Sequence, residues 1–415
     1  MPADRITSVR AMVVSDSRAT AGPEDEPLGT DPVEAADPDG GAVLEHWITG
    51  KIAHPMSRYP EFRQRRSPGI APNGGEIIVV VQSESGQVGI ATTAGGRAAA
   101  AVVDDLLSPY VVGESAFAHE RIWDRMTSAT LRFGRAGLVM HGVSAIDNAV
   151  WDLHGQIAER PVVELLGGSV DDAVQVYTTG PRPDIGQALG FAAAKLPLTW
   201  APCEGEEGLR RNVETARAAR TSVGEGFPLL YDCWMSLDVD YAARLADAVD
   251  ELGFTWIEEP LQPHDYAGHR RLRERMPARM QLATGEHEYT AAGFRRLCEA
   301  GVDVVQPDPA WCGGMTELIR IAAVAQAHGV RLVPHAGGLL SYHFVASRPE
   351  LQLAEYPLLS LDGDMIRPQH APVFVGENLP VDGWVRLPNA PGFGLVLGDD
   401  VQLEPALPAL VGSRQ

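Results

Sequence analysis

The stretch from Phe227 to His335 repeats one pattern: FPLLYDCW (residues 227–234), FTWIEEP (254–260), MQLATGEH (280–287), VDVVQPD (302–308) and VRLVPH (330–335). Each is a short run rich in Val, Leu, Ile or Phe, the composition of a strand buried on both faces of a parallel sheet. Each ends on a polar residue, in turn Asp232, Glu258, Glu286, Asp308 and His335. These lie 26, 28, 22 and 27 positions apart, the length of one strand, one helix and two loops. Between them YAARLADAVDELG (241–253), TAAGFRRLCEAG (290–301) and MTELIRIAAVAQAHG (315–329) carry apolar residues at three-to-four spacing and stop on Gly. Right-handed units of this kind close into a barrel whose strand ends share one face, so five residues distant in sequence are expected to converge.

Working outward, AVQVYTTG (173–180) and FAAAKLPL (191–198) read as the first two strands, GLRRNVETARAARTSVG (208–224) as a helix, and ELQLAEYP (350–357) as the last strand, ending near Glu355. Upstream the alternation is absent. RITSVRAMVVS (5–15) reads as a strand and EIIVVVQSESGQVGIATTAGG (76–96) as a hairpin, followed by helical patterns at 96–111, 119–134 and 142–161. Strands followed by helices suggest a separate α+β domain. Residues 16–42, dominated by Asp, Glu, Pro, Gly and Ala, read as a mobile acidic loop. Residues 45–69 mix aromatics with Arg and Pro without periodicity, which fits either a surface loop or a basic lid over an anionic substrate. The Pro- and Gly-rich tail is expected to return to the N-terminal domain. The predicted division is an α+β domain over 1–160, a barrel over 161–365 and a returning segment over 366–415.

A chain of 415 residues, 45% hydrophobic, has room for a large core without staples. Its net charge of −21 argues against nucleic acid or an anionic membrane as partner, since both demand basic surfaces. The four cysteines show no CxxC spacing, and no run of about eighteen apolar residues occurs, so a reduced, cytoplasmic setting is expected. A homo-oligomer is the expected assembly.

Asp232, Glu258 and Glu286, on three successive strand ends, offer an all-oxygen set that suits Mg2+. The bland alternative for any one of them is a helix cap. Glu259 should point away from Glu258 by strand alternation and act from behind it. Asp308 lies one βα unit before His335, and a carboxylate bonded to imidazole fixes its tautomer and favours its protonated form, the arrangement of a general base. A purely structural Asp–His bond is the alternative. A metal facing a base suggests abstraction of a proton next to a carboxylate, whose enediolate needs stabilising. Lys195 could add positive charge there, or be a solvated rim residue.

The motifs HWITGKIAHPMSRYPEF (46–62), GLVMHGVSAIDNAVWDLHGQ (137–156), LLYDCWMSLDV (229–239), WIEEPLQP (256–263), ATGEH (283–287), VVQPDPAWCGG (304–314), LVPHAGG (332–338) and IRPQ (366–369) resemble the enolase superfamily, in particular acid-sugar dehydratases of its mandelate racemase group. The resemblance runs from about Glu45 onward. It implies an α+β capping domain on a modified (β/α)7β barrel, completed by the C-terminal segment. It implies Mg2+ on Asp232, Glu258 and Glu286, a dyad of His335 and Asp308, and Glu355 as an electrophilic or acidic group. The implied reaction removes water from an acid sugar, L-rhamnonate-like, to give a 2-keto-3-deoxy acid.

Departures bear on the substrate. Where the family has Gly-His-Val-Ala-Thr-Pro-Met-Ser this chain has GKIAHPMS (50–57), so a substrate-contacting His is expected to be replaced by Lys51 or displaced to His54. Arg66 and His287 join them as candidate substrate contacts. After His335 the family's Gly-Ser-Ser becomes Ala336, Gly337 and Gly338, and its later His-His becomes Tyr342 and His343. A racemase or epimerase on the same fold would need a second Lys on strand two, where Pro197 stands. A non-catalytic binding protein would be expected to have lost a metal ligand or the base, and none is lost.

Overall fold

The computed structural model describes residues 4–15, 47–64 and 75–407; the predicted acidic loop at 16–42 lies outside the described residues. The chain opens with β1 (Ile6–Val14), β2 (Glu76–Ser83) and β3 (Val88–Ala94), an antiparallel sheet in the order β1-β2-β3. α1 (Gly96–Ala101), α2 (His119–Thr130) and α3 (Leu138–Ala158) follow. The strands alternate as a one-sided sheet must, with Ile77, Val79 and Val81 turned toward Ile146, Ala149 and Leu153 of α3. α3 crosses β3 so closely that a Cβ on Gly89 would lie 2.1 Å from the Ala149 carbonyl oxygen, which explains why that position is glycine.

The helix expected over 96–111 is not one helix. After α1 the winding widens into a π-helical stretch over Val102–Leu107, then tightens to a 3-10 turn at Ser108–Tyr110. Asp104 in the wide stretch accepts the Ala11 N–H of β1 at 2.8 Å, a tertiary bond that helix periodicity cannot foresee.

After the short α4 (Val162–Leu165) comes the alternation: β4 (Ala173–Thr179), α5 (Pro183–Ala188), β5 (Ala194–Pro197), α6 (Gly205–Val223), β6 (Leu229–Asp232), α7 (Val239–Asp250), β7 (Phe254–Glu258), α8 (Tyr266–Arg273), β8 (Gln281–Thr284), α9 (Thr290–Glu299), β9 (Val304–Val305), α10 (Gly314–Ala327), β10 (Arg331–Leu332), α11 (Gly338–Ala346) and β11 (Leu353–Pro357). Neighbours pair in parallel from β10 back through β4 to β11, so the last strand lies beside the first. Inside, Tyr177, Ala193, Leu230, Trp256, Ala283, Val304, Val333 and Leu353 form one apolar cluster drawn from every strand or its flank, a filled interior rather than a pore. This is the modified (β/α)7β barrel with an α+β cap.

The remaining chain holds the two parts together. β12 (Phe374–Val375) pairs with β14 (Val396–Leu397), β13 (Trp384–Arg386) lies antiparallel on β4, and β15 (Leu403–Pro405) adds to the cap sheet beside β1. Asp152 on α3, 1% exposed, accepts the Ile90 N–H of β3 at 2.9 Å and the Phe393 N–H of the returning segment at 2.8 Å. No described helix is long and apolar enough to cross a membrane.

Asp152→Ala removes the acceptor for two buried N–H groups at once, and each buried donor left unmade costs about 1–3 kcal/mol. Urea unfolding should therefore show a loss of roughly 2–5 kcal/mol, and a loss below about 1 kcal/mol would mean that solvent reaches these groups.

Candidate active site

Strand register brings the acids together. Asp232 and Glu258 end β6 and β7 and are paired partners across the ladder, and Pro197 of β5 pairs with Asp232 on its other side. Glu286 follows β8 through Gly285, which turns at φ +134°, and Asp308 and His335 lie just past β9 and β10. Glu355 lies within β11 opposite Tyr177 of β4. All five carboxylates and His335 thus face one end of the barrel.

Lys195 is not a rim residue. It is 1% exposed, forms an ion pair with Glu258 Oε1, and lies 3.0 Å from Glu355 Oε1 and 3.9 Å from Asp232 Oδ2. Burial works against its charge, but Glu258, Glu355, Tyr177 and Asp232 outweigh it and hold the ammonium protonated. Glu258 is fully buried, with Oε1 on Lys195 and Oε2 accepting from Gln306 Nε2 at 2.7 Å. Burial first, then the charges of Asp232 and Glu355, push its pKa up to about 8 against the pull of Lys195. Glu355 is the opposite case. Its burial is outweighed by Lys195 and His335 and by bonds from the Thr179 hydroxyl and the Ala336 N–H, which hold it down at about 2.

His335 Nδ1–H donates to Asp308 Oδ2 at 2.8 Å, which leaves Nε2 3.4 Å from Glu286 Oε1. Asp308 is itself held by the Ala310 N–H on Oδ1 at 2.7 Å. Enclosure pulls the imidazole pKa down, but Glu286, Asp308 and Glu355 reverse this and raise it to about 10. Glu286 is raised, by burial first and then by Glu259 and Asp232.

Glu259 is fully buried at φ +42°, and takes the His287 N–H at 3.1 Å and His287 Nδ1–H at 2.8 Å. The other nitrogen of His287 lies 3.8 Å from Glu286 Oε1. Among the described residues, the trio whose ligand atoms all lie within 4.8 Å of one another is Glu259, Glu286 and His287, not Asp232, Glu258 and Glu286. Both oxygens of Glu258 are bonded, to Lys195 and to Gln306.

The expected substrate contacts divide. Lys51 turns to Glu204 Oε1 at 2.5 Å with its ammonium 5.5 Å from the Trp200 ring centre, so its charge is already paired. His54 is buried, with Nε2–H on the Phe62 carbonyl at 2.9 Å and its ring 6.2 Å from that of Trp234. His287 lies between Trp234 and Trp311, at 6.0 and 5.6 Å. Arg66 falls outside the described residues. Sequence reasoning did not single out Gln306, Thr179 or the indoles of Trp234 and Trp311. Of these, Gln306 had a signal, since period-two alternation turns Gln306 and Asp308 of VVQPD the same way.

Three carboxylates, Asp232, Glu258 and Glu355, share a single lysine ammonium in a largely buried space, and Glu286 lies beside His335. An all-oxygen donor set with surplus negative charge fits a hard divalent cation. The same surplus sets the cost of removing the ammonium. Lys195→Met should destabilise by about 3–5 kcal/mol, the usual cost of orphaning a buried ion-pair partner. With Glu258 and Glu355 then raised above their unfolded pKa values, stability retained at low pH is lost as pH rises through those values, so denaturation should show a larger deficit at about pH 8 than at about pH 5.

Two family models match the chain, one described as mandelate racemase / muconate lactonizing enzyme, N-terminal domain, over residues 73–167, the other as enolase C-terminal domain-like, over 185–401. An L-rhamnonate dehydratase of Saccharopolyspora erythraea is 46% identical over 360 residues, covering 86% of this chain and 92% of the relative. The crystal structure of rhamnonate dehydratase from Gibberella zeae complexed with Mg superposes with a TM-score of 0.88 at 34% identity, covering 98% of this chain and 97% of that one. L-Talarate/galactarate dehydratase from Salmonella typhimurium LT2, at 21% identity with a TM-score of 0.74 over 96% and 91% of the two chains, shares the fold. With one family model matching its cap and the other its barrel, and a relative 46% identical over most of its length, this chain belongs to the mandelate racemase / muconate lactonizing enzyme family of the enolase superfamily.

Proposed function

We propose that this chain is a Mg2+-dependent dehydratase of an acid sugar, a hydro-lyase acting on L-rhamnonate or a close analogue. The observation that carries the reading is a single base on one side of the site, His335 with Asp308, facing a cluster of carboxylates and Lys195. The similarity to L-rhamnonate dehydratases over most of the chain supports the substrate class. A cytoplasmic setting in sugar-acid breakdown belongs to the same reading, supported by four free cysteines.

Asp232, Glu258 and Glu286 would hold the ion, which supplies Lewis-acid stabilisation of the charge that grows on the substrate carboxylate. Glu258 would then exchange a bond to Lys195 or Gln306 for the ion. Glu286 is the largest charge that raises His335, so an ion held there would offset it and favour the neutral imidazole that a base requires.

His335 Nε2 takes the proton from the carbon next to the substrate carboxylate while Asp308 holds Nδ1–H and stabilises the imidazolium. Lys195 adds positive charge beside the enediolate. The electrons then expel the neighbouring hydroxyl, which leaves as water on accepting a proton, and the enol that remains tautomerises to the 2-keto-3-deoxy acid. Glu355, held ionised by Lys195 and bonded at both oxygens, is a poor proton donor, which favours His335 Nε2–H as the acid. Inversion of the α-carbon needs a second base on the opposite face. Pro197 stands where a second lysine would be, and Lys195 is locked between two carboxylates.

The test is a library of mono- and diacid sugars with Mg2+, read by 2-keto acid formation. No turnover of any member, or net inversion at the α-carbon, would count against dehydration. His335→Asn should lower turnover by about 100-fold or more and stop α-proton exchange in deuterium oxide, with Asp308→Asn milder. Persistent exchange in the His335 variant would remove it from the role of base. Glu258→Gln, nearly isosteric, should weaken Mg2+ binding by titration calorimetry and lower activity in parallel; unchanged affinity would take Glu258 out of the ligand set.

A further inference from the structure

Helix α3 belongs to the cap, yet one stripe of it is given over to the barrel loop that begins at Asp308. Ser144 Oγ accepts the Gly313 N–H at 2.8 Å, Asp147 Oδ2 accepts the Thr316 N–H at 2.8 Å, and Asn148 both accepts the Met315 N–H and donates to the Pro309 carbonyl, each at 2.9 Å. From β3 the Thr93 hydroxyl adds a bond to the Ala310 carbonyl at 3.1 Å. The fit is close: Gly314 turns at φ +80°, and a Cβ there would lie 2.6 Å from Asp147 Oδ2. These bonds hold the loop by its backbone.

His141, one helical turn before Ser144, holds it by a side chain instead. Its ring stacks on the Trp311 indole, 5.5 Å between centres and 6° from parallel. Its Nδ1 lies 3.2 Å from the Ala94 carbonyl, which can only accept, so Nδ1 carries the proton; Nε2, 3.2 Å from the Tyr289 hydroxyl, then accepts from it. Enclosure lowers the imidazole pKa and keeps the ring in this neutral form. Both ring nitrogens and one face are thereby committed, which leaves the imidazole a fixed support rather than a group free to enter the chemistry.

What it supports is a wall of the site. The Trp311 ring lies 5.6 Å from the His335 ring and 5.6 Å from that of His287, and its own loop carries Asp308. We propose that His141 is a positioning residue for the reaction: through the stack it fixes the Trp311 indole against His335, so that the cap sets the place of the base relative to the substrate. The role rests on the dehydratase reading above.

The stack can be separated from the hydrogen bonds. His141→Ala removes both, His141→Phe restores a ring against Trp311, and Tyr289→Phe removes only the bond to Nε2. In protein carrying 15N-labelled Trp, with the Trp311 indole N–H signal assigned from Trp311→Phe, His141→Ala should shift or broaden that signal. It should also lower kcat by about 10–100-fold with KM changed less than about threefold, the pattern of a misplaced catalytic group. His141→Phe should recover most of kcat. An unmoved indole signal with unchanged kcat in His141→Ala would overturn the proposal, as would equal losses of kcat and thermal midpoint in the Ala and Phe variants. The indole signal needs no substrate. A shifted signal in a protein whose wild type turns over no sugar acid would therefore indict the dehydratase reading and leave the placement of Trp311 standing.

Discussion

Lys195 neutralises too little. Buried beside Glu258 and Glu355 and within 3.9 Å of Asp232, it is one ammonium among carboxylates that the barrel has withdrawn from water. Charges of one sign gathered in a low-dielectric space repel, and the two ways out are protonation and a bound cation. Glu258, with its pKa pushed up, records the first way. The all-oxygen donor set invites the second.

The cap answers a different constraint. A barrel mouth is open, and catalytic groups carried on loops need support from outside the strands. α3 supplies it by hydrogen-bonding the loop from Pro309 and the first turn of α10 as far as Thr316, while burying its opposite side against β2 and β3. Asp152 on the same helix ties in the returning C-terminal segment. One helix therefore joins cap sheet, barrel loop and tail, and cap and barrel cannot shift independently without breaking buried bonds.

Position also separates residues of the same chemistry. Glu258 and Glu259 are neighbours in sequence, yet the first faces Lys195 and Gln306 while the second turns at positive φ to hold His287. Glu355 and Glu258 are both buried and both contact Lys195 but have pKa values displaced in opposite directions. At Glu258 burial, with Asp232 nearby, prevails, whereas at Glu355 the charge of His335 and bonds from the Thr179 hydroxyl and Ala336 N–H add to Lys195 and outweigh burial. Environment, not residue type, decides which carboxylate stays charged.

The barrel was legible in the sequence because its signals are local. Apolar runs of strand length, helical spacing between them and a polar residue at each run's end recur every 22 to 28 residues from Asp232 to His335, and parallel βα units have one sterically favoured way to close. The same regularity put His335 one unit after Asp308, and the two are hydrogen-bonded. What the tertiary structure alone decided depends on partners distant in the chain. Lys195 was as compatible with a solvated rim as with burial until Glu258 and Glu355 came round the barrel to meet it. Lys51 was a candidate substrate contact until Glu204, 153 residues away, took its charge. The π-helical stretch at Val102–Leu107 and the stack of His141 on Trp311 likewise join segments that no local period connects. Periodicity reports which face of an element is buried; what each polar side chain meets there is settled only when the elements pack.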